Sequence, residues 1–232
     1  MDKLQNFLSL TKGGLIVSCQ ALEDEPLHSS YIMSRMAYAV KLGGACGIRA
    51  NSVEDIRAIK QTIDLPVIGI IKQVFDDCPV YITPTEAAVQ YLVECDVDVI
   101  AIDATKRPRP DGSSLDTFFS VLRKRYPEQP FMADCSTYEE ALHAQEIGFD
   151  LVGTTLCGYT AYTKGSALPD LELLQKLGQD LQIPLVAEGG IWSPDTLRQV
   201  LSIPGVHTAV VGSAITRPME ITKHFVEALP SK

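Results

Sequence analysis

The sequence predicts an α/β fold, a (β/α)8 or TIM barrel, because short apolar runs and amphipathic stretches alternate eight times within 232 residues. The apolar runs are continuous rather than alternating, which is typical of parallel strands that are covered on both faces. An open, doubly wound sheet would alternate in the same way, but eight near-even units without a G-x-G-x-x-G motif favour the barrel. The predicted strands lie at 14–20, 45–50, 66–72, 98–103, 130–136, 151–156, 184–190 and 207–214.

The stretches between these runs contain helix start signals. Ser52 and Thr137 each precede a pair of acidic residues, and Ser193 precedes Pro194 at the first helical position. No linker or low-complexity tract interrupts the alternation, so we expect one domain over residues 1–232. The predicted helices lie within 29–44, 51–63, 83–96, 115–126, 136–149, 168–181, 193–205 and 217–229.

Composition excludes several classes of function. The formal net charge of −9 argues against nucleic acid or an anionic membrane surface as the main partner. No apolar run approaches the ~18 residues of a membrane span, and the N-terminal residues lack the pattern of a signal peptide. We therefore expect a cytoplasmic protein.

The sequence also gives little support for a metal site or for a reactive thiol. The six cysteines contain no C-x-x-C pair, so we expect small buried hydrophobes in a reducing compartment, with a nucleophilic thiol as the minor alternative. The four histidines are scattered without ligand spacing, so we expect no metal site.

Candidate functional residues stand at the ends of the predicted strands. In a (β/α)8 barrel the chemistry is carried at the C-terminal ends of the strands, where the following loops meet. Nearly every run here ends on a residue that can form hydrogen bonds, can ionise, or is small enough to leave room for a ligand. In a barrel these residues could converge at the C-terminal opening. They are Gln20, Arg49, Lys72, Asp103, Asp134, Thr154, Thr155, Glu188, Gly212 and Ser213.

Lys72 and Glu188 are the strongest candidates among them. Each follows a long apolar run, and burial lowers the pKa of an ammonium toward that of a working base. The alternative interpretations are that Lys72 is an ordinary surface lysine and that Glu188 is a structural carboxylate. Gly189 and Gly190, like Gly212 and Ser213, precede a helix and leave backbone N–H groups open to a phosphate, although glycines that only make tight turns would look the same.

A lysine and a carboxylate beside a phosphate site suit proton abstraction next to a carbonyl: epimerisation, isomerisation or aldol chemistry. Other phosphate-binding barrel enzymes are alternative interpretations. Metal-dependent epimerases, however, need histidines at strand ends, and no histidine stands at a predicted strand end here. Decarboxylases need D-x-K-x-x-D, whereas Lys106 lies three residues after Asp103. A non-catalytic sugar-phosphate sensor on the same scaffold is the alternative from another class, and it has no need for a base such as Lys72.

Several longer stretches resemble one known family over nearly the entire chain. They include GLIVSCQALEDEPLHSS at 14–30, LPVIGIIKQ at 65–73, GTTLCGYTAYT at 153–163 and VAEGGI at 186–191. In order and content they resemble the N-acylglucosamine-6-phosphate 2-epimerases, also called N-acetylmannosamine-6-phosphate 2-epimerases. The stretches 77–81 and 106–112 look variable, and we assign them no role.

The resemblance implies reversible inversion at C2 of an open-chain 2-acetamido sugar 6-phosphate, in bacterial sialic acid catabolism, with no cofactor and no metal. It implies that Lys72 is the base at C2 and that Glu188 is the partner acid or base; which of them returns the proton stays open. Asp134 would hold the lysine or a sugar hydroxyl. The remaining candidates are Gln20, Arg49, Asp103 and Thr155 for the substrate, and Gly189, Gly190, Gly212, Ser213 and Arg217 for the phosphate.

The C-terminal segment bears on oligomeric state. Residues 217–229 carry an apolar stripe of Ile221, Phe225, Val226 and Leu229, which could pack on the barrel or on a partner. Because (β/α)8 enzymes of this size often pair, we expect a homodimer.

Overall fold

The computed structural model describes residues 2–230, and eight parallel strands form a closed barrel in sequence order. Each strand pairs with the next, and β8 pairs with β1 to close the ring. The strands are β1 (Leu15–Cys19), β2 (Gly47–Asn51), β3 (Val67–Ile70), β4 (Val99–Asp103), β5 (Phe131–Asp134), β6 (Leu151–Gly153), β7 (Leu185–Glu188) and β8 (Val206–Val211). This confirms the predicted fold class.

Helices surround the barrel, and the eight predicted ones are all present. The helices are α1 (Lys3–Thr11), α2 (Ser30–Leu42), α3 (Val53–Thr62), α4 (Glu86–Glu94), α5 (Leu115–Arg125), α6 (Tyr138–Glu146), α7 (Leu171–Asp180), α8 (Pro194–Leu201), α9 (Ser213–Thr216) and α10 (Pro218–Glu227). Met1, Ser231 and Lys232 lie outside the described residues, so the domain limits of 1–232 stay a prediction. Within residues 2–230, no helix has both the length and the apolar character needed to cross a bilayer.

The strands are shorter than the apolar runs suggest, and this moves the third strand end. β3 ends at Ile70, two residues before Lys72. The backbone N–H of Lys72 donates to Asn51 Oδ1 at 2.8 Å, and Lys72 forms an antiparallel bridge with Ile82. The lysine therefore stands on a short extension above the strand, held by β2 and by the β3–α4 loop.

Two helices were not predicted, and α1 is the larger one. Asp2 caps it by accepting from the backbone N–H of Gln5 at 2.7 Å. Phe7 is fully buried and belongs to the cluster inside the barrel, together with Ile16 and Ile68. Gly13, just after α1, donates its backbone N–H to the carbonyl of His207 in β8. The helix therefore closes the N-terminal end of the barrel, opposite the mouth.

Phe7→Ala is expected to lower the free energy of unfolding by about 3–5 kcal/mol, because it opens a cavity in a fully packed interior. Leu10→Ala, on the same helix, is the matched control, since Leu10 is 52% exposed and its loss creates no cavity. Urea unfolding monitored by circular dichroism measures both variants. Equal midpoints for the two variants would contradict the role of Phe7 as the plug of the barrel.

Candidate active site

A cavity of about 330 Å³ opens at the C-terminal end of the barrel, within the size range of small-ligand sites. Residues of β1 and β2 and of the loops after β3, β6, β7 and β8 form its walls. Of the predicted site residues, it brings together Gln20, Arg49, Lys72, Thr155, Glu188, Gly189, Gly190, Gly212, Ser213 and Arg217.

Lys72 lines this cavity with its amine unengaged. Within residues 2–230 its side chain makes no hydrogen bond and no ion pair, although it is mostly buried. Burial lowers the pKa of Lys72 to about 8, and the neighbouring cations Arg49 and Arg217 push it in the same direction. A substantial share of this amine is therefore neutral near physiological pH, as a general base requires.

Arg49 lies at the centre of a buried charge cluster beside the lysine. Its guanidinium, only 1% exposed, contacts Asp134 through two hydrogen bonds of 2.5 and 3.1 Å and approaches Glu188 Oε2 at 3.3 Å. Burial disfavours its charge, but the carboxylates of Asp134 and Glu188 outweigh that cost, and the pKa of Arg49 is raised. The two-pronged contact fixes the guanidinium plane and keeps the cation at the barrel mouth.

Glu188 ends β7 and faces the same cavity. Burial raises the pKa of its carboxyl, as does the nearby Asp134, while Arg49 opposes this shift. Its backbone N–H and carbonyl both bond to the Thr154 hydroxyl, at 3.0 and 2.9 Å, which anchors the strand end. The raised pKa leaves Glu188 better able than a surface glutamate to carry a proton at neutral pH.

Thr155 lies between the two carboxylates. Its hydroxyl oxygen is 2.6 Å from Asp134 Oδ1 and 3.1 Å from Glu188 Oε2. On the other side of the mouth, the Gln20 amide donates to Ser18 Oγ at 2.6 Å, and its Oε1 is buried without a hydrogen-bond partner in residues 2–230. Because a buried polar atom usually has a partner, Oε1 of Gln20 is available to a substrate.

The loops after β7 and β8 present backbone N–H groups to the cavity. Those of Gly189, Gly190, Gly212 and Ser213 donate to no other residue of the described chain. α9 begins directly after Gly212, so its N-terminus faces this side of the site. Loops at this place in the fold form the recurrent phosphate site of (β/α)8 barrels.

Gly190 also has a packing reason that the sequence could not reveal. Its φ is +70°, and a Cβ there would lie 2.3 Å from the Leu168 side chain and 2.5 Å from its carbonyl carbon. Leu168, from the β6–α7 loop, therefore requires a glycine at this position, whatever ligand the loop binds. A Cβ at Gly189 would come no closer than 3.9 Å to an atom beyond its two chain neighbours, so space does not require a glycine there. Its φ of +113° does, because residues with a side chain rarely adopt that conformation.

Arg217 lines the cavity but is partly engaged. Its guanidinium donates to Glu25 Oε2 at 2.9 Å, an ion pair that links the start of α10 to the β1–α2 loop. The cation lies close enough to Lys72 to lower the pKa of that amine. Arg217 can therefore add positive charge to the glycine side of the site.

Three predicted residues, Thr154, Asp134 and Asp103, do not line the cavity. Asp134 is fully buried, and its carboxylate oxygens accept hydrogen bonds from Arg49 and Thr155. Asp103 accepts from Thr105 and Arg107, at 2.7 Å in each case. Both aspartates end a strand. Asp103 meets an arginine four residues later in the chain, whereas only the tertiary structure shows that Asp134 meets Arg49.

Sequence reasoning missed several residues that line the cavity. Tyr81, in a stretch that looked variable, stands beside Lys72 and Arg49, and burial raises the pKa of its phenol to about 12. Tyr159 and Leu168 from the β6–α7 loop and Trp192 after β7 form an apolar wall. Tyr81 follows no strand, so no strand-end signal could have found it.

The cysteines and the acidic residues form no second reactive or metal-binding site within residues 2–230. All six cysteines are free thiols, and burial raises the pKa of Cys19 to about 12 and that of Cys157 to about 11. This disfavours the thiolate that a nucleophile needs. Across residues 2–230, no group of three or more His, Cys, Asp or Glu side chains is arranged to hold a metal ion.

The site combines a lysine whose pKa is lowered, a neighbouring carboxylate and, within residues 2–230, unpaired backbone N–H groups after the last two strands. This combination is typical of phosphate-binding barrel enzymes that transfer a proton at the carbon next to a carbonyl. Residues 33–231 match the family model described as "Putative N-acetylmannosamine-6-phosphate epimerase". The chain belongs to this family.

Individual relatives agree with that assignment over almost their full length. A protein of Enterobacter sp. (strain 638) and one of Shouchella clausii, each named "Putative N-acetylmannosamine-6-phosphate 2-epimerase", are 52% and 53% identical to this chain. The first alignment covers 97% of both chains; the second covers 96% of this chain and 98% of the relative. The solved N-acetylmannosamine-6-phosphate 2-epimerase from Clostridium perfringens is 50% identical, with a TM-score of 0.91 and 96% of each chain covered.

Proposed function

We propose that this chain interconverts N-acetylmannosamine 6-phosphate and N-acetylglucosamine 6-phosphate by removing and returning the proton at C2, as an isomerase of amino-sugar and sialic acid catabolism. The observation that carries the mechanism is Lys72, an unengaged amine with a pKa lowered to about 8 at the mouth of the barrel. Family membership supports the substrate, because the relatives carry that name.

In the proposed reaction, the neutral amine of Lys72 takes the proton from C2 of the open-chain sugar, next to the C1 aldehyde. The electron pair left at C2 moves onto the aldehyde oxygen and forms an enolate. Protonation of C2 from the opposite face then gives the epimer. Glu188, with its raised pKa, exchanges protons with the sugar oxygens during ring opening and enolate formation.

Arg49 is the electrostatic component of this proposal. Its charge is fixed at the mouth by Asp134 and Glu188, so it meets a developing enolate oxygen without reorganising. One well-placed donor of this kind contributes about 3 kcal/mol to the stabilisation of a transition state. Asp134 acts through Arg49 and Thr155 as a positioning residue, and Gln20 offers its free Oε1 to a sugar hydroxyl or amide.

We assign the phosphate to the part of the cavity that the loops after β7 and β8 form. The open N–H groups of Gly189, Gly190, Gly212 and Ser213 would donate hydrogen bonds to the phosphate oxygens, with Arg217 as an outer cation. With the phosphate bound there, C2 of the extended sugar chain would lie next to Lys72, which lines the same cavity. The base, the acid and the oxyanion donor are all side chains, so we expect undiminished turnover after dialysis against EDTA and without added cofactor.

Activity is expected to fall on the acid side of pH 8. Lys72 must be neutral to accept a proton, and its pKa in the free enzyme is about 8, so kcat/KM should drop about tenfold per pH unit well below that value. Initial rates between pH 5.5 and 9.5 measure the profile. A kcat/KM that stays constant from pH 9 down to pH 6 would contradict this assignment.

The direct test of function is incubation of the purified chain with N-acetylmannosamine 6-phosphate, with the products separated by chromatography. Formation of the gluco epimer is the expected result. Tight binding without conversion would instead support the non-catalytic sensor. Conversion of a different sugar phosphate, with N-acetylmannosamine 6-phosphate untouched, would point to another phosphate-binding barrel enzyme.

We also propose a homodimer that acts in the cytoplasm. α10 has no buried residue, and Phe225, Val226 and Leu229 are 57–74% exposed, an apolar face that a second copy could cover. Six free thiols fit a reducing compartment. Light scattering coupled to gel filtration measures the state: a dimer mass that Phe225→Asp converts to a monomer mass is expected, and a monomer in the unmodified chain would refute the proposal.

A further inference from the structure

Glu140 lies where the loops after β4, β5 and β6 meet. The side chain is buried, and one carboxylate oxygen, Oε2, accepts from Ser136 N and Oγ at 2.8 and 2.7 Å and from Thr137 N at 3.2 Å. The other oxygen, Oε1, accepts from the backbone N–H of Lys106 at 3.0 Å and from the Tyr162 hydroxyl. One carboxylate thus joins three loops at the barrel mouth.

Helix capping explains only half of this arrangement. Thr137 and Glu140 form the capping box at the start of α6, which needs only the contacts made by Oε2. The contacts on Oε1 reach residues from other loops, and the Lys106 ammonium lies 4.3 Å from the centre of the Tyr162 ring. Because a hydrogen bond to a charged acceptor is stronger than one between neutral groups, the Tyr162 contact is a firm anchor.

Tyr162 belongs to the β6–α7 loop, residues 154–170, which has no regular secondary structure. Within it the Thr163 hydroxyl accepts from the backbone N–H of Gly158 at 3.0 Å and lies 2.7 Å from the Thr160 hydroxyl. These bonds hold the segment 158–163 together as one unit. The segment contacts the neighbouring loops through the Tyr162–Glu140 bond, through the Lys106 ammonium over the Tyr162 ring, and through a contact of 3.4 Å between the hydroxyls of Thr160 and Ser136.

The same loop forms a wall of the active-site cavity. Tyr159 and Leu168 line it, and Leu168 lies against both Gly190 and Gly158. A shift of segment 158–163 would therefore move the wall that stands next to the proposed phosphate glycines. Lys72 stands on another element. Glu188 is held by Thr154 and Thr155, which precede segment 158–163 and have their own bonds to the barrel, so both groups that we assign to proton transfer would stay in place.

We propose that Glu140 and Tyr162 are positioning residues that hold the loop 154–170 against the bound sugar phosphate, and that they govern substrate affinity rather than the proton-transfer step. This inference rests on the proposed function for its kinetic part. Its structural part, anchoring of the loop by one tyrosine–carboxylate hydrogen bond, does not.

Tyr162→Phe tests the proposal, because it removes only the hydroxyl from a ring that is 40% exposed. Tyr138→Phe is the matched control: Tyr138 also donates to a carboxylate, that of Asp180, at 2.7 Å, but it lies outside the cavity. For Tyr162→Phe we expect KM to rise about five- to tenfold with kcat within twofold of the unmodified enzyme. A merely structural role would reduce the fraction of active enzyme, which lowers kcat and leaves KM unchanged.

Hydrogen–deuterium exchange of peptides from 154–170 provides a readout that needs no activity. Faster exchange in Tyr162→Phe than in Tyr138→Phe is expected, because the anchor of the loop is lost. Unchanged KM, or unchanged exchange in this loop, would overturn the proposal. If the unmodified chain has no epimerase activity, the proposed function fails, and the exchange comparison still decides whether the anchor exists.

Discussion

Lys72→Met is expected to lower kcat by roughly three orders of magnitude, because it removes the base that takes the C2 proton while keeping a side chain of similar length and volume. The fold should not suffer. Burial disfavours the ammonium form of Lys72, so a neutral side chain relieves a cost instead of breaking an ion pair. We expect a melting temperature equal to or above that of the unmodified protein.

Lys124→Met is the matched control for this variant. Lys124 is an exposed residue of α5 that makes no ion pair with the described residues, so its kcat and KM should equal those of the unmodified enzyme. Rates are compared by chromatographic product analysis at pH 8.5. A Lys72→Met protein that is folded and retains more than a tenth of the normal kcat would remove Lys72 from the role of base.

Glu188→Gln is expected to have the second largest effect, a loss of about two orders of magnitude in kcat, because the amide can neither give nor accept the proton that the sugar oxygens need. The variant should also change the pH profile. The negative charge of Glu188 raises the pKa of Lys72, so its removal should lower that pKa and move the acid limb of kcat/KM to lower pH. Arg49 keeps its two bonds to Asp134, so the site should stay folded.

A purely structural role for Glu188 would lower activity without moving the pH profile. Glu172→Gln is the control, because Glu172 pairs with Lys176 on the exposed face of α7, and its loss should change neither rate nor profile. Two outcomes would contradict our account: an acid limb that stays at the same pH in Glu188→Gln, or a kcat within threefold of normal.

The barrel could be predicted from the sequence because its signals are local. Eight apolar runs alternate with amphipathic stretches, three of which carry a helix start signal, and this alternation predicts the order and number of strands in the closed barrel. α1 precedes the first strand and lies outside the eight alternating units, so the alternation does not indicate it. Its Asp2 cap and the spacing of Leu4, Phe7 and Leu8 are the signals that would have indicated a helix.

The site could be predicted in part, for a similar reason. Lys72 and Glu188 follow buried runs, and strand ends meet at the barrel mouth, so a local pattern predicts that they lie close together. Asp103 and Asp134 share that pattern but differ in the arginine that each one meets. Asp103 pairs with Arg107, four residues later, whereas Asp134 pairs with Arg49, 85 residues away in the chain, and no local pattern predicts that second contact. The same limit applies to Tyr81 and to Leu168 against Gly190. Such contacts exist only in the folded chain.

Proton NMR of N-acetylmannosamine 6-phosphate and the enzyme in D₂O, followed until the two epimers reach equilibrium, tests the central claim most directly. A base that removes the C2 proton exchanges it with solvent, so the account predicts that both epimers carry deuterium at C2 and that the Lys72→Met variant leaves protium there. Complete epimerisation with protium retained at C2 would contradict it, because inversion would then proceed without proton transfer to the enzyme.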